Sequence, residues 1–241
     1  MRINVLLAAA ALSATVVTVV AAPTATPNVA AAPLHSAGAK ANYPRLTKFP
    51  DAKIMTAVNA LLAGKEKEDR SNYADCLKQI ADMKQKPDPE SWNSTIDVTY
   101  LSARYMTINV VQSYSCAGAY PTNGAEVPIN VDLKVGKEID WTGMFKPGFL
   151  TDGDKIGALT KLYLSHYSKK KEDKDCLDAV KQTDPSASAI FWLDSKQGLL
   201  FQPDYPHVIA ACANPMPLSS AVLAPYLKDT ALLAELKAAG R

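Results

Sequence analysis

A charge imbalance is the first thing this sequence lacks. Its 26 Lys and Arg face 24 Asp and Glu, a formal net charge of +2. Such a chain has no long-range field of one sign, which argues against nucleic acid or an anionic membrane surface as partner. Histidine is scarce: His35, His166 and His207 lie far apart. The four cysteines, Cys76, Cys116, Cys176 and Cys212, form no Cys-x-x-Cys pair, so no metal site is expected. Also missing are a Gly-x-Ser-x-Gly nucleophile elbow, a glycine-rich phosphate loop and a His-Glu-x-x-His helix. No cofactor is expected.

Charge is missing from the N-terminus too, where Arg2 is the sole charged residue before Ala22. A mostly apolar run from Val5 to Ala22 closes with small residues at Val19 and Ala21. This reads as a signal peptide, residues 1–21, cut after Ala21; Pro23 disfavours a cut one residue later. The run is almost long enough to cross a bilayer but is soft and Ala-rich, so no stable span is expected once it is cleaved. Residues 22–41, rich in Ala, Pro and Thr, have little to bury and read as a disordered linker. The expected location is periplasmic or secreted. There an even count of cysteines implies two disulfides, with three possible connectivities.

Periodicity supplies the elements. Asp51 can cap a helix from Ala52 to Ala63, with Ile54, Met55, Val58, Leu61 and Leu62 on one face and Gly64 as its stop. The mixed run Lys65–Arg70 reads as a solvated turn or helix face. A second helix, Asn72 to Lys84, places Cys76, Leu77, Ile80 and Met83 together before Pro87. These form a helical lead-in over residues 42–90. From residue 91 the period becomes two: Ile96, Val98, Tyr100; Met106, Ile108, Val110; Val127, Ile129, Val131, Leu133, Val135. Such alternation predicts strands with one buried and one wet face, joined by short antiparallel connections. A helix over 155–167 follows, with Ile156, Leu159, Leu162 and Tyr163 inward. Then come a hairpin, Ala189–Leu193 with Gly198–Gln202, and a C-terminal helix over 227–239. The fold class is therefore α+β: an antiparallel sheet on two or three helices, packed with the lead-in as one unit over 91–241. An internal echo bears on the cysteines. Asp75-Cys76-Leu77 and Asp175-Cys176-Leu177 are each followed by strands and then by a Cys-Ala pair, Cys116-Ala117 and Cys212-Ala213. The echo favours Cys76–Cys116 and Cys176–Cys212, each pinning a helix to a sheet.

The motif order from Ile96 to Leu227 can be placed beside a known family. Ala117-Gly118-Ala119-Tyr120-Pro121 is followed by Asp132-Leu133-Lys134-Val135-Gly136-Lys137 and then Gly143-Met144-Phe145. After a helix come Ile190-Phe191-Trp192-Leu193, Gly198-Leu199-Leu200-Phe201 and Gln202-Pro203-Asp204-Tyr205-Pro206-His207-Val208. This ordered set resembles the RsiV-like C-terminal domain family of bacterial envelope proteins, in a cysteine-bearing Gram-negative form. The family is mostly of unknown function. Some relatives are membrane-anchored receptors that bind lysozyme, and others carry this region beside a peptidoglycan deacetylase domain. The resemblance implies a ligand of the lysozyme or peptidoglycan kind. Ala117 stands where the pattern has glycine and Tyr120 where it has histidine, so a role needing an imidazole there does not carry over.

For binding, the turn carrying Tyr114, Tyr120 and Asn123 offers aromatic and amide groups on a loop held at Cys116, and Tyr205 adds a fourth candidate. For catalysis, His207 with Asp204 is the weak acid/base pair, weighed against a loop histidine packed among prolines. The reading is a non-enzymatic envelope protein that binds a protein or wall-derived ligand. The competing reading is a small periplasmic hydrolase acting on glycan or peptide.

Overall fold

The computed structural model describes residues 27–30, 36–37, 42–86, 91–116, 122–152, 155–169 and 174–240. The signal peptide, most of the linker and Tyr120 lie outside the described residues. The chain opens with short strands β1 (Asn28–Ala30), β2 (Ser36–Ala37) and β3 (Arg45–Lys48), then helix α1 (Ala52–Asp82). Next are β4 (Trp92–Leu101), β5 (Tyr105–Tyr114), β6 (Thr122–Glu126), β7 (Ile129–Asp132), β8 (Lys137–Glu138) and α2 (Trp141–Met144). The ribbon β9 (Thr151–Asp152) and β10 (Lys155–Ile156) leads to α3 (Ala158–Lys169) and α4 (Lys174–Lys181). The hairpin β11 (Ala189–Asp194) and β12 (Gly198–Pro203) precedes a 3-10 helix, His207–Cys212. β13 (Met216–Leu218), α5 (Ser220–Leu223) and α6 (Thr230–Ala238) complete the chain.

Helix α1 corrects the sequence reading. The two expected helices are one, of 31 residues and about 46 Å long. Asp51 caps it, accepting from the amides of Lys53 and Ile54. Its buried positions, Val58, Leu62, Asp69, Cys76 and Ile80, form an unbroken stripe, and Gly64 lies within it without ending it. Burial along the stripe outweighs the roughly 1 kcal/mol that a mid-helix glycine costs. The charge run Lys65–Arg70 is part of this helix; Lys67, Glu68 and Arg70 are exposed, while Glu66 and Asp69 turn inward. Glu66 pairs with Arg45 and Arg70 at 2.7 Å each, and Asp69 accepts from Gln112 Nε2 at 2.8 Å. Met83, expected inside, is 53% exposed.

The larger sheet runs β2-β4-β5-β7-β8, with β6 pairing the far half of β5. Its pairings are antiparallel. One face packs on α1 through Ile96, Met106, Ile108, Val110, Ile129 and Val131. The opposite face, expected to be wet, is covered by the three-stranded antiparallel sheet β11-β12-β13, so Thr107 and Asn130 are buried. Val127 and Val135 are the exposed ones, because β7 begins at Ile129 and Val135 sits in the turn before Gly136. Gly136 takes φ +68°, a conformation open to glycine, over Ala57 of α1.

A polar seam joins the sheets. Asn130 Nδ2 donates to the Phe191 carbonyl at 2.7 Å, and Thr107 Oγ1 donates to Asn130 Oδ1 at 2.9 Å. Leu193 N–H donates to Thr107 Oγ1 at 3.3 Å. The β4–β5 register shifts between Val98 and Tyr100. At that irregularity Thr99 Oγ1 donates to the Leu193 carbonyl, and its own carbonyl accepts from Ser195 N–H, both at 2.7 Å.

The core proper lies around the second sheet and α3, where Phe145, Phe149, Tyr163, Tyr167, Phe191 and Phe201 pack together. Helix α3 starts at Ala158, later than expected, and Ile156 is 51% exposed. Gly157 permits the entry: a Cβ there would lie 2.2 Å from the Leu150 carbonyl oxygen. The C-terminal helix is tied back by its cap. Asp229 accepts from the amides of Ala231 and Leu232, from Arg104 at 2.7 Å and from the Tyr105 hydroxyl at 2.7 Å.

The α+β class and both disulfides stand as read, with six α-helices among the described residues, two of them only four residues long. Cys76–Cys116 ties α1 to the end of β5, and Cys176–Cys212 ties α4 to the 3-10 helix, not to a strand as expected. They span 40 and 36 residues, worth roughly 3–4 kcal/mol each in the chain-entropy model. Both halves share an order: a helix with a cysteine, a hairpin, a closing cysteine.

Candidate functional site

The described surface carries one cleft that joins a sequence candidate to an aromatic side chain. It lies between α2 and the chain entering β11, with a volume of about 340 Å³. That falls within the ~300–1,000 Å³ range of small-molecule sites. Trp141 and Thr142 line one side, Ser186 to Phe191 the other, and Asp204 stands at the rim.

Local chemistry fixes both walls. Trp141 follows β8 and its ring centroid is 5.6 Å from that of Phe191, which anchors it to the core. The opposite wall is stiffened by Asp184. One of its carboxylate oxygens accepts from Ser186 N–H, Ser186 Oγ and Thr160 Oγ1 at 2.7–3.0 Å. Burial pushes the Asp184 carboxyl up, but these hydrogen bonds from Ser186 and Thr160 outweigh it and hold the group below the usual carboxylate range. Ser186 Oγ also lies 2.9 Å from the Leu150 carbonyl, which locks the turn to the α3 entry. Asp204 N–H donates to Ser188 O at 2.7 Å, extending the β11–β12 pairing by one step and leaving the Asp204 side chain exposed.

The other sequence candidates are dispersed. Tyr114 stacks on Trp92 at 4.7 Å and 18°, beside the Cys76–Cys116 bridge on the first sheet. Asn123 is placed in β6 by its backbone, with no description of its side chain. Tyr120 is outside the described residues. Tyr205 is 8% exposed and packs in the main core with Tyr163, Tyr167 and Cys212. Burial raises its hydroxyl pKa, as it does for Tyr163. Tyr163 and Tyr167 both donate to the Cys212 carbonyl, so the tyrosines here brace the second disulfide. His207 opens the 3-10 helix three residues after Asp204; only its backbone is described. Among the described residues no three His, Cys, Asp or Glu side chains gather as a metal site.

Trp141 and Ser188 were missed in the sequence. Trp141 sits in a four-residue helix too short for periodicity to mark, and Ser188 gains meaning only through the strand it leads into.

Away from the cleft one carboxylate is buried. Asp69 of α1 reaches the first sheet, where burial raises its pKa and Trp92 opposes the rise. It belongs to the packing around Gln112, Trp92 and the first disulfide.

No family model matches the sequence, and no curated protein matches it. The fold is similar to the crystal structure of a member of the DUF3298 family from Bacteroides fragilis, with a TM-score of 0.56 and 16% identity. The match covers 89% of this chain and 99% of that one. At this identity the likeness concerns the fold. No helix among the described residues is long and apolar enough to cross a membrane.

Proposed function

We propose that this is an exported cell-envelope protein of the RsiV-like kind, which binds a protein or wall-derived ligand without transforming it. Residues 1–21 act as its signal peptide, 22–41 as a linker, and 42–241 as one ligand-binding unit in the periplasm or outside the cell. The observation that carries this reading is the cleft. It sets an aromatic ring, hydroxyls and one carboxylate around a small-molecule-sized space. Two disulfides suit an oxidising compartment and support the export half of the reading. The ordered motifs and the shared fold support the family half.

The test is a pull-down of the mature chain with purified lysozyme and, separately, with peptidoglycan sacculi. Retention by either, weakened tenfold or more by Trp141→Ala, is the expected result. Tyr120→Ala in parallel asks whether the Tyr114–Asn123 turn contributes. Failure to bind both ligands sinks the reading. Turnover of glycan or peptide that His207→Ala abolishes, with the melting temperature unchanged, would instead establish the hydrolase.

A further inference from the structure

The charge around this cleft has one sign. Of the residues that line it Asp204 alone is ionisable, and neither Lys nor Arg is among them. A second carboxylate adjoins the wall. Asp184 Oδ1 accepts from the Ser186 hydroxyl at 2.7 Å, and its hydrogen bonds keep it ionised at neutral pH. Neither Asp184 nor Asp204 has a cation. No ion pair among the described residues includes either of them. Lys181, close to Asp184 along the chain, pairs instead with Asp178 at 3.2 Å. Lys196 lies in the turn between β11 and β12, at the opposite end of the hairpin from Asp204. An anionic ligand entering here meets negative charge with nothing to offset it, whereas a cationic one neutralises it.

The neutral groups narrow the kind of cation. Asp204 N–H donates to the Ser188 carbonyl, one step beyond the Ala189–Pro203 pair. The two side chains therefore leave the same face of the ladder, with their Cβ atoms about 5 Å apart. Both are exposed, and neither the Asp204 carboxylate nor the Ser188 hydroxyl makes a hydrogen bond among the described residues. A carboxylate and a hydroxyl oxygen side by side are acceptors for a compact group with several donors, which a primary ammonium is. Trp141 supplies an apolar wall for the carbon atoms that bear such a group.

We infer that the cleft selects ligands carrying a primary ammonium group, as an amino sugar or a lysine-type side chain does; the inference rests on the cleft being the ligand site. The ammonium donates to the Asp204 carboxylate and to Ser188 Oγ, and Trp141 flanks the carbons next to it.

The experiment is ¹H–¹⁵N NMR of the mature chain at about pH 6, where an amine is charged. The probes are two matched pairs: glucosamine with N-acetylglucosamine, and the Nα-acetyl amide of lysine with the same compound acetylated at Nε. A saturable shift of the Trp141 indole N–H and the Ser188 amide is expected with an amine, at an affinity about fivefold or more above that of its acetylated partner. Whichever amine acts identifies the source of the group. Asp204→Asn keeps the backbone bond to Ser188 and should abolish the preference. Added NaCl should weaken the amine and leave the acetylated form unaffected. If the variant does not fold, this salt dependence in the unaltered chain still decides. No shift with any probe, equal affinity within both pairs, a preference that survives Asp204→Asn, or amine binding indifferent to salt overturns the inference. Sacculi or lysozyme retaining the protein while no amine is preferred would sink this inference and leave the envelope reading standing. An amine preference with neither retained would do the reverse.

Discussion

Asn130→Ala removes the side chain that locks the two sheets together. Asn130 is 4% exposed and makes two hydrogen bonds, at 2.7 Å to the Phe191 carbonyl and 2.9 Å from Thr107 Oγ1. Its loss strands both partners, and Thr107 is fully buried. Each stranded group costs about 1–3 kcal/mol, so the variant should lose about 2–6 kcal/mol. For a chain of this length that is a fall in Tm on the order of 10 °C. Urea titration followed by tryptophan fluorescence reads it directly, with Trp192 in β11 as the nearby reporter and an unchanged m-value as the check on two-state behaviour. Thr107→Val supplies the second arm of a double-mutant cycle. Because the residues share one bond, Thr107→Val with Asn130→Ala should cost at least about 1 kcal/mol less than the two singles summed. A cost for Asn130→Ala below about 1 kcal/mol, or strict additivity with Thr107→Val, would refute the claim that this seam holds the sheets in register.

Two further outcomes follow from α1 and α6. Gly64→Ala should stabilise the protein by about 0.5–1 kcal/mol, since a Cβ there meets nothing within 4 Å and helix propensity favours alanine; an unchanged or lower urea midpoint would contradict an unstrained mid-helix site. Asp229→Asn keeps the helix cap but weakens the bonds to Arg104 and Tyr105, and should cost about 1–3 kcal/mol at neutral pH. Burial raises the Asp229 carboxyl, but the Tyr105 hydroxyl, the Leu232 and Ala231 amides and Arg104 outweigh it and hold it below the usual range. A depressed folded pKa contributes stability that is present above the unfolded value, near pH 4, and lost as pH falls through the folded one. The gap between Asp229→Asn and the parent should therefore close as the urea midpoint is followed below about pH 4; a constant gap would place the stabilisation elsewhere.

The features legible in the sequence were those set by neighbours along the chain. Asp51 announced the start of α1, and the turn Asp194–Gln197 between two apolar runs announced the β11–β12 hairpin, because local chemistry decides them. The disulfides were legible because each cysteine pairs with the next one after a helix and a hairpin. Gly64 misled because a local stop signal worth about 1 kcal/mol competes with a buried stripe that runs on to Ile80. Thr107 and Asn130 misled for a different reason. Polar residues alternating with apolar ones read as a wet face, and the partner that buries them, Phe191, lies 61 residues from Asn130. The cleft was half legible. Asp204 stood out as a carboxylate beside a histidine and two prolines, whereas Trp141 sits in a four-residue helix too short for periodicity to mark.

The order of the cysteines also has a kinetic meaning. Cys76 bonds Cys116 and Cys176 bonds Cys212, so bonded partners are consecutive and no bridge encloses or crosses the other. A chain that is oxidised as it emerges N-terminus first presents Cys116 as the earliest thiol available to Cys76, and completes that bridge before Cys176 arrives. The second pair then has only itself. Pairing by order of appearance is native pairing here, and a chain built this way matures under a simple oxidant without needing an isomerase to reshuffle its bridges.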